Sequence, residues 1–254
     1  MKQSILKALA RVKSHEFTKE FKNFEFETKF DLTKRVKLNA SNFLRKIEKR
    51  FTAGSNFILC KVRGGDKLVT KVAFFAKGNV EYSFFKYRGA RMLKVKKHKI
   101  IKGIPFNIFK NVEQLLIDKE DFAKKLSRFR RRFRKHKYFL VDVKETIKRL
   151  GLEKFGGTGT MIKTRVKDFV LDARDGRIYA VAISFCESGG RLQKQLEVEY
   201  SGYLNGGFGD FKKENEKQII CRTLELSEHI YKFLPWMLKP SVERKFEFVN
   251  KVAP

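Results

Sequence analysis

The sequence is short of the residues that cross-link or punctuate a chain. Among 254 residues there are three Cys and four Pro. Cys60, Cys186 and Cys221 are odd in number and lack metal-type spacing, so they describe neither a disulfide framework nor a zinc site. They fit a reducing compartment, and a cytoplasmic protein is expected. No Pro- or Ser-rich stretch marks a linker, which leaves one large domain with helical attachments. No apolar run reaches the roughly 18 residues that suggest a membrane span. From Met1 to His15 there is no acid until Glu16, but the apolar centre Ile5 to Ala10 is too short for a signal peptide. A short surface helix is expected there. The four histidines, His15, His98, His136 and His229, are scattered and suggest no catalytic arrangement. Phosphate-cradling Walker loops, dinucleotide fingerprints and nucleophile triads are likewise absent.

Acid is scarce too. The 58 Lys plus Arg face 28 Asp plus Glu, a formal net charge of +30. Such a chain attracts polyanions, whether nucleic acid, anionic membrane or polyphosphate, and charge alone does not choose among them. Part of the excess simply solvates the surface. What is abundant is core material: hydrophobic residues make up 42% and Phe alone numbers 26, which argues for a folded chain.

The pattern along the chain is mostly of strands. Phe24 to Phe30 alternates, with Phe24, Phe26 and Phe30 on one face and Glu25, Glu27 and Lys29 on the other. A helix is expected near Ser41, with Ser41 as its N-cap. Residues 57–63 and 67–76 read as a hairpin about Gly64-Gly65-Asp66, and 80–88 and 91–101 as another about Gly89-Ala90. From Asn111 to about Lys137 the spacing of Val112, Leu115, Leu116, Phe122 and Leu126 turns helical. Gly156-Gly157-Thr158-Gly159 reads as a loop. A hairpin is expected for 161–185 about Ala173 to Gly176, a strand at 195–200, and a helix from about Glu214 to Leu238. The division expected is a helical segment at 1–22 and a single domain at 23–254, with a helical insertion near 107–150 and a C-terminal helix.

Three constellations can carry chemistry. Glu25-x-Glu27-x-Lys29 projects from one strand face, alternate residues being about 7 Å apart. Two carboxylates so placed want a cation between them, and hard oxygen ligands suit Mg²⁺ or Mn²⁺. Glu197-x-Glu199 repeats the arrangement with Leu196, Val198 and Tyr200 opposite. Strands distant in sequence can bring four carboxylates together across a barrel lumen. The third set is cationic: Lys61 and Arg63, Lys86 and Arg88, Lys94 and Lys96, and Lys163, Arg165 and Lys167 alternate on their strands. Facing inward, such cations would repel one another unless a polyanion lay among them, and Arg offers bidentate contacts to phosphate. An outward, solvated face explains each set as well, and for Lys67, Lys71 and Lys167 that reading is preferred. The run from Arg128 to Lys137 interleaves Phe129 and Phe133 with cations. It suits either nucleic acid or the cationic end of a helix.

Glu25-x-Glu27-x-Lys29 near the start of the first strand resembles the signature of the CYTH superfamily, the triphosphate tunnel metalloenzymes. Lys86-Tyr-Arg88-Gly-Ala-Arg91-Met-Leu-Lys94-Val-Lys96 is similar to that family's basic hairpin. Val170-Leu-Asp172 before Gly176 is similar to a later hairpin, and Gln195-Leu-Glu197-Val-Glu199-Tyr200 to its acidic last strand. The resemblance spans about residues 24 to 203. It implies an α+β fold, an antiparallel closed eight-stranded barrel or tunnel with flanking helices. It also implies a metal-dependent triphosphatase or related cyclase using Mg²⁺ or Mn²⁺. By position Glu25, Glu27, Glu197 and Glu199 would hold metal, with Asp172 a further metal or water-positioning group. Lys29, Arg88, Lys94, Lys96 and Arg165 would hold phosphates, with Lys61, Arg63, Lys86 and Lys163 alternative or additional contacts. Two other functions remain open: binding or polymerising long polyphosphate, and non-enzymatic nucleic-acid binding through Arg128 to Lys137.

Overall fold

A computed structural model of the chain describes residues 2–19, 24–33, 39–51, 56–87, 90–102, 107–117, 147–148, 150–205 and 215–252. In chain order the elements are helix α1 (Lys2–Lys13), β1 (Phe24–Leu32), α2 (Ala40–Glu48), β2 (Phe57–Lys77), β3 (Val80–Tyr87), β4 (Ala90–Ile101), β5 (Ile108–Ile117), β6 (Gly156–Asp172), β7 (Arg177–Ser188), β8 (Arg191–Tyr203), α3 (Glu216–Phe233), β9 (Leu238–Pro240) and α4 (Lys245–Asn250). The architecture is α+β, an antiparallel sheet with flanking helices.

The sheet closes on itself. Its order is β5-β4-β3-β2-β6-β7-β8-β1, and β5 returns to pair with β1. Every one of these pairings is antiparallel, so eight strands form a ring. The short β9 adds to β1 beyond β5, at Phe30 to Leu32.

Closure gives the two faces of every strand different surroundings. Phe26 and Phe30 of β1, Val181 and Ile183 of β7, and Leu196 and Val198 of β8 point outward. There they meet Phe43 and Ile47 of α2 and Ile219, Leu226 and Ile230 of α3. The main apolar core therefore lies outside the ring, between sheet and helices. Thr28 and Ser227, both fully buried, share a hydrogen bond of 2.6 Å that ties β1 to α3. Asn39 caps α2 by accepting from the Asn42 backbone N–H at 2.8 Å, so this helix starts two residues before the expected Ser41 cap.

The ring's inner face is polar through its middle and apolar towards two ends. At one end α1 lays Ala8 and Val12 against Cys60, Phe169, Leu171, Ile178 and Ala180. Its chain then turns back so that Thr18 bridges to Tyr203. Gly202 permits this approach: its φ is 142°, and a Cβ would fall 2.3 Å from the Thr18 carbonyl oxygen. At the other end Phe248 and Val249 of α4 pack on Val72, Phe74, Met161 and Cys186.

Three local expectations are corrected. Residues 57–77 form one strand, not a hairpin; Gly64 and Gly65 pair with Lys167 and Val166 of β6, and the register shifts between Cys60 and Gly64. The Gly156 to Gly159 stretch opens β6, pairing with Phe75 to Val72. Asn111 to Ile117 is strand, because pairing to both β4 and β1 closes the ring there and overrides a helical spacing. The rest of the expected insertion, from 118 to 146, falls outside the described residues.

Phe30 is fully buried and stacks on Tyr231 at 6.0 Å between ring centroids. Phe30→Ala is expected to lower unfolding free energy by about 3–5 kcal/mol in urea denaturation. Leu192→Ala, at a 45% exposed residue, should change it by less than about 0.5 kcal/mol.

Candidate functional site

The strand registers assemble the site. Glu27 sits opposite Glu199 and Lys29 opposite Glu197 across the β1–β8 pair. Directly paired positions share a face, so Ala182, Ser184 and Lys167 join them through β7 and β6. On the other flank Glu25 pairs with Asn111, which pairs with His98 of β4. Lys96 and Lys94 lie at positions of the same parity as His98. The two Glu-x-Glu motifs, 170 residues apart in sequence, thus meet on adjacent strands inside the ring.

Two carboxylates directly opposite each other are destabilising unless a cation stands between them. Several do. Lys29 Nζ lies 3.2 Å from Glu27 Oε1, with both side chains buried. Lys96 pairs with Glu25 and reaches Glu27 at 3.8 Å. Arg165 of β6 spans Glu199 at 3.2 Å and Glu197 at 3.7 Å. Lys245, the first residue of α4, donates to Glu197 Oε1 at 2.7 Å. Asn111 Nδ2 donates to Glu27 Oε1 at 2.9 Å.

The electrostatics follow from this crowding. Burial alone would raise the Glu197 carboxyl, but Lys245, Arg165, Lys163 and Lys29 outweigh it and hold Glu197 well below the usual range. Desolvation works against charge on Lys245 and Arg165 as well, yet the glutamates keep both charged more firmly than in water. Lys163 has the opposite fate. The neighbouring Lys245 ammonium, then burial, and Arg165 push its amine down to about 7. The interior therefore contains a cation near the point of losing its proton, because too many like charges share the space.

The sequence-derived residues divide. Glu25, Glu27, Lys29, Lys96, Arg165, Glu197 and Glu199 converge through the ion pairs just described, and Lys163 joins them electrostatically. Lys94 pairs in register with Ser83 on the same inner face. Asp172 does not join them. It is fully buried on the outer parity of β6, with Arg174 donating to both its oxygens at 2.8 and 2.7 Å. Such a saturated carboxylate is part of the anchorage of the β6–β7 turn to α3, where Arg174 also meets Glu225 at 2.7 Å. Lys61 is corrected too: it is half exposed and pairs with Glu48 of α2 at 3.0 Å, away from the glutamates. Lys167, read as solvated, instead lies over the Phe169 ring at 5.1 Å. The side chains of Arg63 and Lys86, all of Arg88, and the Arg128 to Lys137 run lie outside the described residues.

Sequence reasoning missed Lys245 and Asn111. Lys245 belongs to a single-turn helix with no strand alternation to flag it. Asn111 was masked by apparent helical spacing; the alternation Phe109, Asn111 on a closing strand was the signal available.

No family model matches this chain, and no curated protein does. Among solved structures it is similar to a protein of Pyrococcus horikoshii OT3, at 15% identity over 89% of this chain and 98% of that one, with a TM-score of 0.43. It is similar also to a Bacillus halodurans protein described as "a putative adenylate cyclase", at 13% identity over 89% and 98%, with a TM-score of 0.42. A third is the S. pombe Pct1 RNA triphosphatase in complex with the Spt5 CTD, at 10% identity over 92% and 90%, with a TM-score of 0.31.

Lys163 supplies a test of this electrostatic picture. Its ε-carbon resonance should titrate near pH 7, and Lys245→Met should move that midpoint upward by removing the largest opposing charge. The folded amine is depressed from 10.5, so between about 7 and 10.5 the unfolded chain binds more protons than the folded one. This group's contribution therefore makes the folded state gain stability as pH rises through that window, and Lys245→Met should flatten the gain.

Proposed function

We propose that the ring is a triphosphate tunnel and that the chain is a metal-dependent phosphohydrolase acting on a triphosphate-bearing substrate, such as inorganic, nucleoside or thiamine triphosphate. The observation that carries this reading is the shared inner face of Lys29, Lys96, Lys163, Arg165 and Lys245 with Glu25, Glu27, Glu197 and Glu199. Their mutual repulsion has already driven Lys163 down to about 7. A polyanion among them relieves that repulsion.

The carboxylates fit a hard divalent ion by the chemistry of the donor set: glutamate oxygens from facing positions on adjacent strands. Among the described residues no group of three or more His, Cys, Asp or Glu stands ready as a cage. Mg²⁺ does not need one, since it is commonly held by one or two carboxylates together with substrate phosphates and water. Glu25, Glu27, Glu197 and Glu199 would hold such an ion, which would polarise the phosphates and neutralise charge building on them.

The chain's own residues then have distinct tasks. Arg165 and Lys96, now spanning the glutamates, are placed to turn from carboxylate to phosphate oxygen when substrate enters. Arg165 offers a bidentate fork, Lys96 and Lys29 single ammonium contacts. Lys245 neutralises charge at Glu197 Oε1, and Lys163 adds to the positive field around that carboxylate. In phosphoryl transfer these positioned charges supply most of the catalytic effect, the nucleophile being water for hydrolysis or a substrate hydroxyl for cyclisation.

The ends of the ring favour a compact substrate over a long polyphosphate chain. α1 and α4 lay apolar residues on the inner face at opposite ends, where a threaded polyanion would need open, basic rims. A cytoplasmic setting with reduced cysteines goes with this reading.

Phosphate release from inorganic triphosphate is expected with Mg²⁺ or Mn²⁺ and not with chelator. Glu27→Gln should abolish it while leaving circular dichroism unchanged. Release at the wild-type rate in both Glu25→Gln and Glu27→Gln would sink the site assignment. Binding of triphosphate without release would replace hydrolysis by a cyclase, a polymerase or a binding module.

A further inference from the structure

Behind Glu27 runs a continuous line of buried polar groups from three strands. Asn111 of β5 donates through Nδ2 to Glu27 Oε1 at 2.9 Å. His98 of β4 approaches Asn111 Oδ1 through Nδ1 at 2.8 Å. The other ring nitrogen, Nε2, lies 3.3 Å from Glu81 Oε2 on β3. Ser83, two residues along β3, donates to Glu81 Oε1 at 3.3 Å. Glu27, Asn111, His98, Glu81 and Ser83 are each at most 8% exposed.

The roles in this line are forced from one end. Lys29 Nζ, which can only donate, lies 3.2 Å from Glu27 Oε1, so that oxygen is an acceptor. Asn111 must therefore turn its NH₂ towards Glu27 and its carbonyl oxygen towards His98. That oxygen can only accept, so Nδ1 carries a proton. At the far end burial would raise the Glu81 carboxyl, but its hydrogen bond and charge contact with His98 outweigh burial and hold it below the usual range. Its Oε1 takes the Ser83 hydroxyl and its Oε2 faces Nε2, which seats the ring against β3. The donor to Asn111 thus belongs to a ring whose other nitrogen is seated against a buried carboxylate.

The geometry points to His98 as a positioning residue: seated against Glu81 and donating from Nδ1, it fixes the amide of Asn111 and through it the orientation of Glu27. The assignment rests on the proposed reaction for the role of Glu27, but not for the direction of the hydrogen bond from His98 to Asn111. Its physical basis is that an Asn amide is nearly symmetric in shape and is oriented only by its partners. Without a donor at Nδ1 the amide can flip, presenting its oxygen to a carboxylate and repelling it. Glu27 Oε1, which also meets Lys29 and Lys96, would lose its fixed donor while keeping its cations. The damage would fall on alignment more than on substrate attraction, since no phosphate-binding cation is removed.

Two variants separate alignment from folding. Asn in place of His can set its amide nitrogen where Nδ1 stood, whereas Gln sets its nitrogen nearer the Nε2 position. His98→Gln is expected to lower kcat for inorganic triphosphate by roughly 10- to 100-fold, the usual cost of losing a group that orients a ligand, with KM within about threefold. His98→Asn, which keeps the donor to Asn111, should recover most of kcat. Equal losses in the two, or a loss confined to KM, would overturn the positioning role. Nitrogen-15 spectra of the histidine rings in the wild-type chain provide a reading independent of turnover. Nδ1 of His98 should carry a proton, and a ring protonated at Nε2 alone would overturn the assignment. A wild-type chain that releases no phosphate overturns the proposed reaction alone, and the ring spectrum then decides whether His98 donates to Asn111.

Discussion

Charge compensation inside a closed ring is the constraint on which the rest of the structure depends. Once β5 returns to β1, one parity of every strand faces a shared interior that water reaches poorly. Carboxylates and ammonium groups gathered there cannot rely on solvent screening, so each must find an opposite charge or change its protonation. Glu197 takes the first route, ringed by Lys245, Arg165 and Lys163, and stays ionised despite burial. Lys163 is pressed towards the second. The same ion pairs that compensate charge in the interior are the ones the proposed triphosphate and divalent ion would rearrange.

A polar interior has a consequence for folding. Along its middle the apolar residues of β1, β7 and β8 turn outward, and a sheet face covered by Phe26, Phe30, Val181 and Leu196 cannot stand in water. Helices α2 and α3 cover it, and the shared hydrogen bond between Thr28 and Ser227 fixes α3 on the strand that bears Glu27 and Lys29. Stability and site are thereby built on opposite faces of the same strands. A substitution on the Phe face of β1 acts on the helix-covered core, and one on the Glu face acts on the interior ion pairs. At its ends the ring becomes apolar inside and receives α1 and α4, the latter carrying Lys245 into the charged region.

Much of this was legible from alternation alone. Glu25, Glu27 and Lys29 against Phe24, Phe26 and Phe30 is a local pattern, and period two survives any tertiary context that keeps the strand. The same holds for Glu197 and Glu199 against Leu196, Val198 and Tyr200. Parity failed where it had to distinguish inside from outside without a neighbour for reference. Lys61 alternates as well as Lys163 does, yet it faces α2 and Glu48. Asp172 stands next to a turn whose Arg174 folds back to saturate it, a local chelation that no spacing rule predicts. Helical spacing at Asn111 to Leu116 misled because β5 pairs on both sides and strand pairing outweighs local preference.

By itself the sequence determined which residues share a strand face, that the chain carries two acidic pairs amid a large cationic excess, and that Phe-rich faces need covering. Those are short-range properties, set by backbone geometry and composition. Only the tertiary structure decided which face is the interior and that Glu27 stands opposite Glu199. It alone also decided that Lys245 enters from the last helix and that His98, scattered in sequence, lines up with Glu81 and Asn111. The reason is that ring closure and register are relations between strands, and they acquire values only when distant segments pair.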